Sequence, residues 1–536
     1  MLAPDRSASL GVRTLVAILA GVALGLTWQP FGWWPLLVIA IPAFTLAVRG
    51  LRPRRAFGLG YLFGLGMLTI AVSWLHVLGV WIAVLLIAFE SLFFGVLGIL
   101  LSLVGRLRWW PLAGAAAWVL VEFGYSRVPF GGFGWSRIAY AAVDTPLAGL
   151  LPLVGVTGLS FAVALVAQLV GWAAWTWWSH GAGRRPVRPL LLAGAGVVAV
   201  LVLATGVRLY QVEPAQTAAG TVRVGIVQGN IPGRGIEAMG RARSVTNNHL
   251  SETVNLLTRV RLGQEAEPDF LLWPENSTDI DPTADPVTRL TVDSAARLAG
   301  VPILVGAVMR GPGPDERQTT ALWWVPGLGP QARYDKQNLV PFGEWIPFRD
   351  QLKPLIPILE QVGAQSVPGT EPGVLDVDLG DRRVRLGDVI CFELAYDATI
   401  YETVAGAQVL LVQSNNATYG GTGQIEQQFA ITRARAMEAR REIAVATTNS
   451  VSGFIDRDGR VVQRTAEFTA ASSVVEMPLR SALTPALRVA PWLERGLAAL
   501  ALVAAVLGAL RARRRRRPAD VPVVSGRSQP RVEAEV

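Results

Sequence analysis

Cys391 is the only cysteine among 536 residues, and only Lys336 and Lys353 are lysines in a chain with 49 Lys and Arg together. Composition does not place such residues by default. Cys391 closes the expected strand Val384 to Cys391 and is followed by Phe392 and Glu393; taken alone, the position suits an inert buried thiol better than a reactive one. Its company changes that balance. Glu275 follows the apolar run Phe270 to Trp273 through Pro274, so a carboxylate emerges where a strand should end, the usual place for reacting groups in layered α/β domains. Lys336 stands in Tyr334-Asp335-Lys336-Gln337-Asn338, where a chain otherwise rich in arginine uses a compact ammonium. A thiol, a carboxylate and an ammonium are the parts of a nucleophilic, covalent site. One cysteine excludes an intrachain disulfide and a Cys-based zinc site, and the scattered His76, His180 and His249 do not compose a His-rich one. No metal and no cofactor is expected.

The elements that must hold these residues fall into two kinds. From 221 onward, β-branched runs alternate with turns and amphipathic helices. Thr221 to Gln228, Phe270 to Trp273, Val301 to Val308, Ala321 to Val325, Val384 to Cys391, Val409 to Val412 and Glu442 to Thr447 read as strands. Several are continuously apolar, as in a sheet buried on both faces. Helices are expected over 240–260, 286–299 and 424–441, which makes residues 211–490 an α/β layered domain.

Before residue 210 the chain is a series of apolar stretches, each near the roughly 20 residues that cross a hydrocarbon core. Seven are expected, near 14–28, 33–48, 57–75, 80–104, 109–125, 148–178 and 189–207, and an eighth lies near 491–510. Residues 511–536 then form a basic tail, expected to be disordered after Pro518. Arg6, Arg13, Arg49, Arg52, Arg54, Arg55, Arg106, Arg108, Arg184, Arg185, Arg188, Arg511 and Arg513 to Arg517 all fall on one side of eight spans. The positive-inside rule makes that side cytoplasmic, with both termini inside and 211–490 outside.

Charge follows the same division. Residues 211–490 hold 32 Asp and Glu against 26 Lys and Arg, a balance of −6 in a chain of net +9, which leaves +15 elsewhere. That excess flanks apolar runs, so it points to a membrane face and not to nucleic acid. Opposite it, the loop Phe130 to Asp144 carries Gly131-Gly132-Phe133-Gly134-Trp135 and is a candidate lipid-access route.

These residues resemble the nitrilase superfamily and, within it, the bacterial apolipoprotein N-acyltransferases. The Glu-Lys-Cys triad of that superfamily is matched by Trp273-Pro274-Glu275, Tyr334-Asp335-Lys336 and Cys391-Phe392-Glu393. The acyltransferase branch is matched by Leu339 to Pro347 (LVPFGEWIP), Val227 to Pro232 (VQGNIP), Ser414-Asn415-Asn416-Ala417 and Arg433 to Glu438 (RARAME). Phe392, Thr418 and Ile236-Glu237 depart from the family's pattern, which bears on gating and acyl preference and not on the triad.

The resemblance implies a multi-pass α-helical membrane domain joined to an αββα sandwich in a bacterial inner membrane. It also implies transfer of a fatty acyl chain from a phospholipid to the α-amino group of a diacylglyceryl-cysteine on an apolipoprotein. Glu275 is then the base, Lys336 the oxyanion partner and Cys391 the thioester-forming nucleophile. Glu344 and Glu393 would support Lys336 and the amine, with ordinary loop carboxylates as the alternative. Trp135, Asn415 and Tyr419 are candidates for substrate access, and Gly311 to Gly313, Val340 to Pro347 and Tyr419 to Gly423 for lids. A monomer is expected. Two rival readings use the same sequence: an amidase merely tethered to the membrane, and an inactive membrane scaffold.

Overall fold

A computed structural model describes residues 9–179, 187–210, 220–231, 242–354, 363–380 and 382–514. Ile236-Glu237, Arg184, Arg185 and the tail beyond Arg514 lie outside the described residues.

The first part is helical: α1 (Leu10–Gly25), α2 (Leu37–Val48), α3 (Pro53–Ala71), α4 (Val80–Val104), α5 (Trp110–Tyr125), the single turn α6 (Ile138–Ala141), α7 (Leu151–Ser179) and α8 (Val187–Tyr210). Among the described residues, α4, Pro146–Ser179, Val187–Arg208 and the final long helix Pro485–Arg514 are long and apolar enough to cross a membrane. The shortest helix among the other expected spans is α2. The 12 residues of α2 follow a 3₁₀ turn at Trp34–Leu36, and at 1.5 Å per residue they extend only about 18 Å against the roughly 30 Å of a hydrocarbon core. Backbones approach closely: a Cβ on Gly60 would lie 2.2 Å from Phe94 O, and one on Gly98 would lie 2.2 Å from Ala56 O, so glycine sets the α3–α4 spacing.

The two ends of this bundle differ. At one, Arg13 Nη1 donates to the carbonyls of Ala47 (3.1 Å) and Arg49 (2.9 Å), Arg106 Nη2 to that of Leu51 (3.4 Å), and Arg511 Nη1 to that of Arg106 (3.5 Å). The arginines that flank separate helices therefore gather in one place. The other end is aromatic and meets the α/β part.

That part contains two sheets. One has the order β13-β1-β2-β3-β4-β5, with β6 beside β4; its strands are β1 (Thr221–Gln228), β2 (Phe270–Leu272), β3 (Ile303–Arg310), β4 (Glu316–Val325), β5 (Gly329–Asp335), β6 (Gln365–Ser366) and β13 (Ala471–Pro478). The other has the order β12-β11-β10-β9-β8-β7: β7 (Val374–Leu379), β8 (Arg382–Ile390), β9 (Val409–Ser414), β10 (Ile443–Thr447), β11 (Gly453–Ile455) and β12 (Val461–Arg464). Strands β1, β2 and β3 are parallel, as are β8, β9 and β10. Val224, Phe270 and Trp323 of the first sheet share a buried cluster with Val377, Leu386 and Leu411 of the second, so the sheets pack face to face.

Helices α9 (Ser244–Arg261) and α10 (Pro286–Ala299) cover the outer face of the first sheet. After the single turn α11 (Arg349–Leu352), helices α12 (Asp397–Gly406) and α13 (Gly423–Ala439) cover that of the second. The layers are thus α-β-β-α. The last helix is α14 (Pro485–Arg514), which begins before the expected residue 491. One continuous apolar core runs from Phe63, Trp118 and Leu159 of the bundle through Phe429 of α13 to Val389 and Ile443 of the second sheet. The α12–α13 layer is therefore packed on both sides, and the α/β part does not hang from an anchor.

Candidate active site

Each of the three candidate residues follows the end of a strand. Glu275 lies just past β2, Lys336 just past β5 and Cys391 just past β8, so both sheets feed one rim. The register at Glu275 depends on Gly306, because a Cβ there would stand 2.2 Å from Pro274 O and 2.6 Å from Glu275 Cα. Ties cross between the sheets at this point: Gln413 Nε2 of β9 donates to the Trp273 carbonyl, and the Asn415 amide donates to Glu275 Oε2 at 2.7 Å.

Lys336 Nζ lies 2.9 Å from Glu275 Oε1 and 2.9 Å from Glu344 Oε1, and its side chain is only 1% exposed. Burial disfavours the ammonium, but Glu275 and Glu344 more than compensate and hold its pKa well above the usual lysine value. Lys336 is a fixed cation. Burial likewise raises the Glu275 carboxyl above the ordinary range; Lys336 opposes that rise and Glu344 adds to it. Glu344 is itself held by the Val340 amide on Oε2 at 2.7 Å.

Cys391 sits with φ +53°, in the left-handed region, at the head of a 3₁₀ turn Cys391–Ala395. Such a conformation is strained for a residue with a side chain and persists where the surroundings over-determine it. Its Sγ lies 3.8 Å from Asn416 Oδ1. Burial pushes the thiol pKa up, Glu275 pushes it further and Lys336 opposes both. The resting sulfur is a thiol and needs a base.

Glu393 holds the turn to the lysine segment. Its carboxylate accepts from Tyr334 Oη (2.8 Å), the Gln337 amide (2.7 Å), the Asn338 amide (3.2 Å) and the Ile390 amide (2.8 Å). It is fully buried, and its four bonds brace the Cys391 turn against the Lys336 segment.

The access candidates separate in the same way. Asn415 contributes its backbone amide, while its Oδ1 is taken by Thr448 Oγ1 at 3.1 Å. Tyr419 is partly exposed and meets Trp74 edge-on at 5.2 Å. Trp135 is 2% exposed and stacks on Phe392 with ring centroids 5.9 Å apart. Its ring is buried beside the residue that follows Cys391. Gly311 to Gly313 form the tight β3–β4 connection, where Glu316 Oε2 accepts from the Gly313 amide at 2.8 Å.

Sequence reasoning missed Gln427 of α13. Its Oε1 accepts from Trp74 Nε1 (2.9 Å) and Trp135 Nε1 (2.8 Å), and its Nε2 donates to the carbonyls of Gln29 (2.7 Å) and Ala71 (2.6 Å). One amide thus gathers three inter-helix loops onto the α/β part. It sits in Gln424-Ile425-Glu426-Gln427-Gln428, a run indistinguishable in sequence from a solvated helix face.

Comparison with known proteins agrees with this arrangement. Residues 20–169 match the family model described as Apolipoprotein N-acyltransferase N-terminal domain. Residues 274–483, which include Glu275, Lys336 and Cys391, match Carbon-nitrogen hydrolase. The apolipoprotein N-acyltransferase of Mycolicibacterium smegmatis is 36% identical over 91% of this chain and 83% of its own. That of Azotobacter vinelandii is 30% identical over 95% and 97%. A mutant of the amidase from Nesterenkonia sp. AN1 aligns with 51% of this chain and 99% of its own, at 17% identity and a TM-score of 0.36.

A carbon-nitrogen hydrolase α/β domain packed on apolar helices defines a membrane acyltransferase of the nitrilase superfamily. The chain belongs to the apolipoprotein N-acyltransferase family.

Proposed function

We propose that the chain transfers a fatty acyl group from a membrane phospholipid to the α-amino group of the diacylglyceryl-cysteine that begins an apolipoprotein, through a thioester on Cys391. Glu275 removes the thiol proton and Sγ attacks the ester carbonyl. The oxyanion is neutralised by Lys336, whose charge is already in place and needs no reorganisation. Collapse expels the glycerol oxygen of the lysophospholipid, which takes the proton from Glu275. The acceptor amine then attacks the thioester, Glu275 takes its proton, and Sγ leaves and is reprotonated.

The observation that carries this reading is the buried Lys336 between Glu275 and Glu344 beside a strained cysteine. The aromatic cover of Trp135, Trp74 and Tyr419 favours transfer over hydrolysis, since a thioester awaiting an amine must be kept from water.

In this reading seven spans precede the α/β domain and α14 is the eighth. The clustered arginine end faces the cytoplasm of a bacterial inner membrane, and the active site opens at the outer face. The protein acts as a monomer and takes no metal or nucleic acid. A synthetic diacylglyceryl lipopeptide incubated with purified protein and phospholipid should gain one amide-linked acyl chain. Release of free fatty acid or ammonia without acyl transfer would instead support the reading of a tethered hydrolase of the amidase type.

A further inference from the structure

A buried ion network lies where the helix bundle meets the turn that carries Cys391. Asp397 begins α12, two residues after that turn. Its Oδ2 accepts from Arg137 Nη1 at 2.7 Å and its Oδ1 from Arg435 Nη2 at 2.7 Å. Arg435 comes from α13, and its Nε also donates to the Leu394 carbonyl, inside the turn, at 2.9 Å. Arg137 comes from the loop after α5; its Nη2 donates to Thr157 Oγ1 of α7 at 2.7 Å, and its Nε lies 3.6 Å from Glu122 Oε2 of α5. Glu438 completes the set by accepting from Arg435 Nη1 at 2.6 Å, the Val156 amide at 2.9 Å and Tyr401 Oη at 2.7 Å.

Arg137, Arg435, Glu122 and Glu438 are all at least 97% buried. Charges removed from water to this degree are tolerated only when paired, so the network is complete only while the bundle and the α/β part are docked. The loop also reaches the turn from its other side: two residues before Arg137, Trp135 lies on Phe392. Residues 135 and 137 therefore clamp the segment 392–397 at both ends. Immediately before the clamped segment, and joined directly to Phe392, is the strained Cys391.

We infer that Arg137, acting through Asp397, is a positioning residue that holds the Cys391 turn in its reactive geometry. The inference rests on the reading of Cys391 as the nucleophile. Arg137 touches no reacting atom; it makes the geometry of the thiol depend on the helix bundle. A misplacement on the order of 1 Å can cost about 10² in rate, and the guanidinium fork, not charge alone, fixes Asp397 together with Thr157.

The test uses full-length protein in detergent with phospholipid vesicles, comparing wild type, Arg137→Lys, Arg137→Gln and Asp397→Asn. Single-turnover acylation of Cys391 is followed by mass spectrometry, and alkylation of the sole thiol by iodoacetamide reports its geometry independently. Arg137→Gln and Asp397→Asn should each slow acylation by about 10²-fold, with KM for phospholipid within about twofold, and should change the alkylation rate. Arg137→Lys should recover part of the loss. The double variant should be no slower than the worse single one, because both break the same link. Should Arg137→Gln not fold, Asp397→Asn and Arg137→Lys carry the same comparison. Unchanged acylation in folded variants, or additive losses in the double variant, overturns the positioning role. Absence of any thioester on wild-type Cys391 would instead overturn the nucleophile assignment.

Discussion

Trp135 lies flat against Phe392, with ring centroids 5.9 Å apart and planes inclined by 17°. The first ring belongs to a loop between apolar helices; the second directly follows Cys391. The relationship makes the helix bundle part of the active-site wall, and it explains why the α/β domain shares one core with the bundle.

The first consequence concerns the three strand-end residues. Cys391→Ala should reduce transfer below about 10⁻³ of wild type, and Glu275→Gln should behave similarly. Lys336→Met should cost about 10²–10³, the usual loss for one oxyanion donor. Lys336→Arg should not restore it, because the buried position between two carboxylates fits an ammonium and not a planar fork. Steady-state transfer to a lipopeptide measures all four.

The second concerns pH. In the proposed mechanism Glu275 must be unprotonated to act as base, and its pKa is raised by burial and by Glu344. Activity should therefore fall as pH drops through a value above the ordinary carboxylate range. Removing the Glu344 charge takes away one cause of the rise, so in Glu344→Gln the acid limb of kcat/KM should move to lower pH, along with a loss in rate from the loosened Lys336. An acid limb that moves upward would contradict the assignment of Glu275 as base.

The third concerns docking. Gln427→Leu keeps the volume but leaves two indole N–H groups and two carbonyls without their partner. Each buried unsatisfied group costs about 1–3 kcal/mol, so the melting temperature should drop by several degrees and transfer should weaken with it. An unchanged melting temperature would mean that water replaces the amide without cost.

The fourth concerns a buried histidine behind the strand that leads to Glu275. His249 is fully buried against Trp273, 5.6 Å between centroids, and its pKa is lowered from 6.5 to about 4 by burial, against the opposing pull of the Val245 carbonyl. A histidine depressed in the folded state binds its proton more readily when unfolded. Its contribution to stability should thus rise with pH between about 4 and 6.5, by on the order of 3 kcal/mol across the window. Unfolding free energies of wild type and His249→Gln, taken from denaturation curves, should differ by a constant above pH 6.5, and only the wild type should lose this contribution as pH falls from 6.5 towards 4.

Much of this arrangement was legible in the sequence, for identifiable reasons. Strands β2 and β9 are largely apolar runs because both faces are buried, and that pattern reads clearly, whereas β8 carries Arg382, Arg383, Arg385 and Asp388 among its apolar residues. Strand β7 alternates Leu375, Val377 and Leu379 with exposed aspartates, and all four residues of β12 are exposed; neither run is apolar enough to stand out. The site was readable where residue type was rare, as for Lys336 and Cys391. Gln427 and Arg137 were not, because their types are common here and their partners are remote: Gln427 meets the carbonyl of Gln29, 398 residues away. Helix and expected span part company at α2, whose 12 residues are too few to cross by themselves because the 3₁₀ turn Trp34–Leu36 takes up the start of that apolar stretch.

The central claim is a thioester on Cys391, and because the chain has one cysteine, no other thiol can carry it. Purified protein is mixed with vesicles of labelled phospholipid, quenched in acid, digested and analysed by mass spectrometry, before and after addition of a lipopeptide amine. The expected result is one acyl mass on the peptide containing Cys391, released by hydroxylamine and discharged onto the lipopeptide. Transfer of label to the lipopeptide with no acyl group ever on that peptide, or transfer that survives Cys391→Ala, would contradict the account.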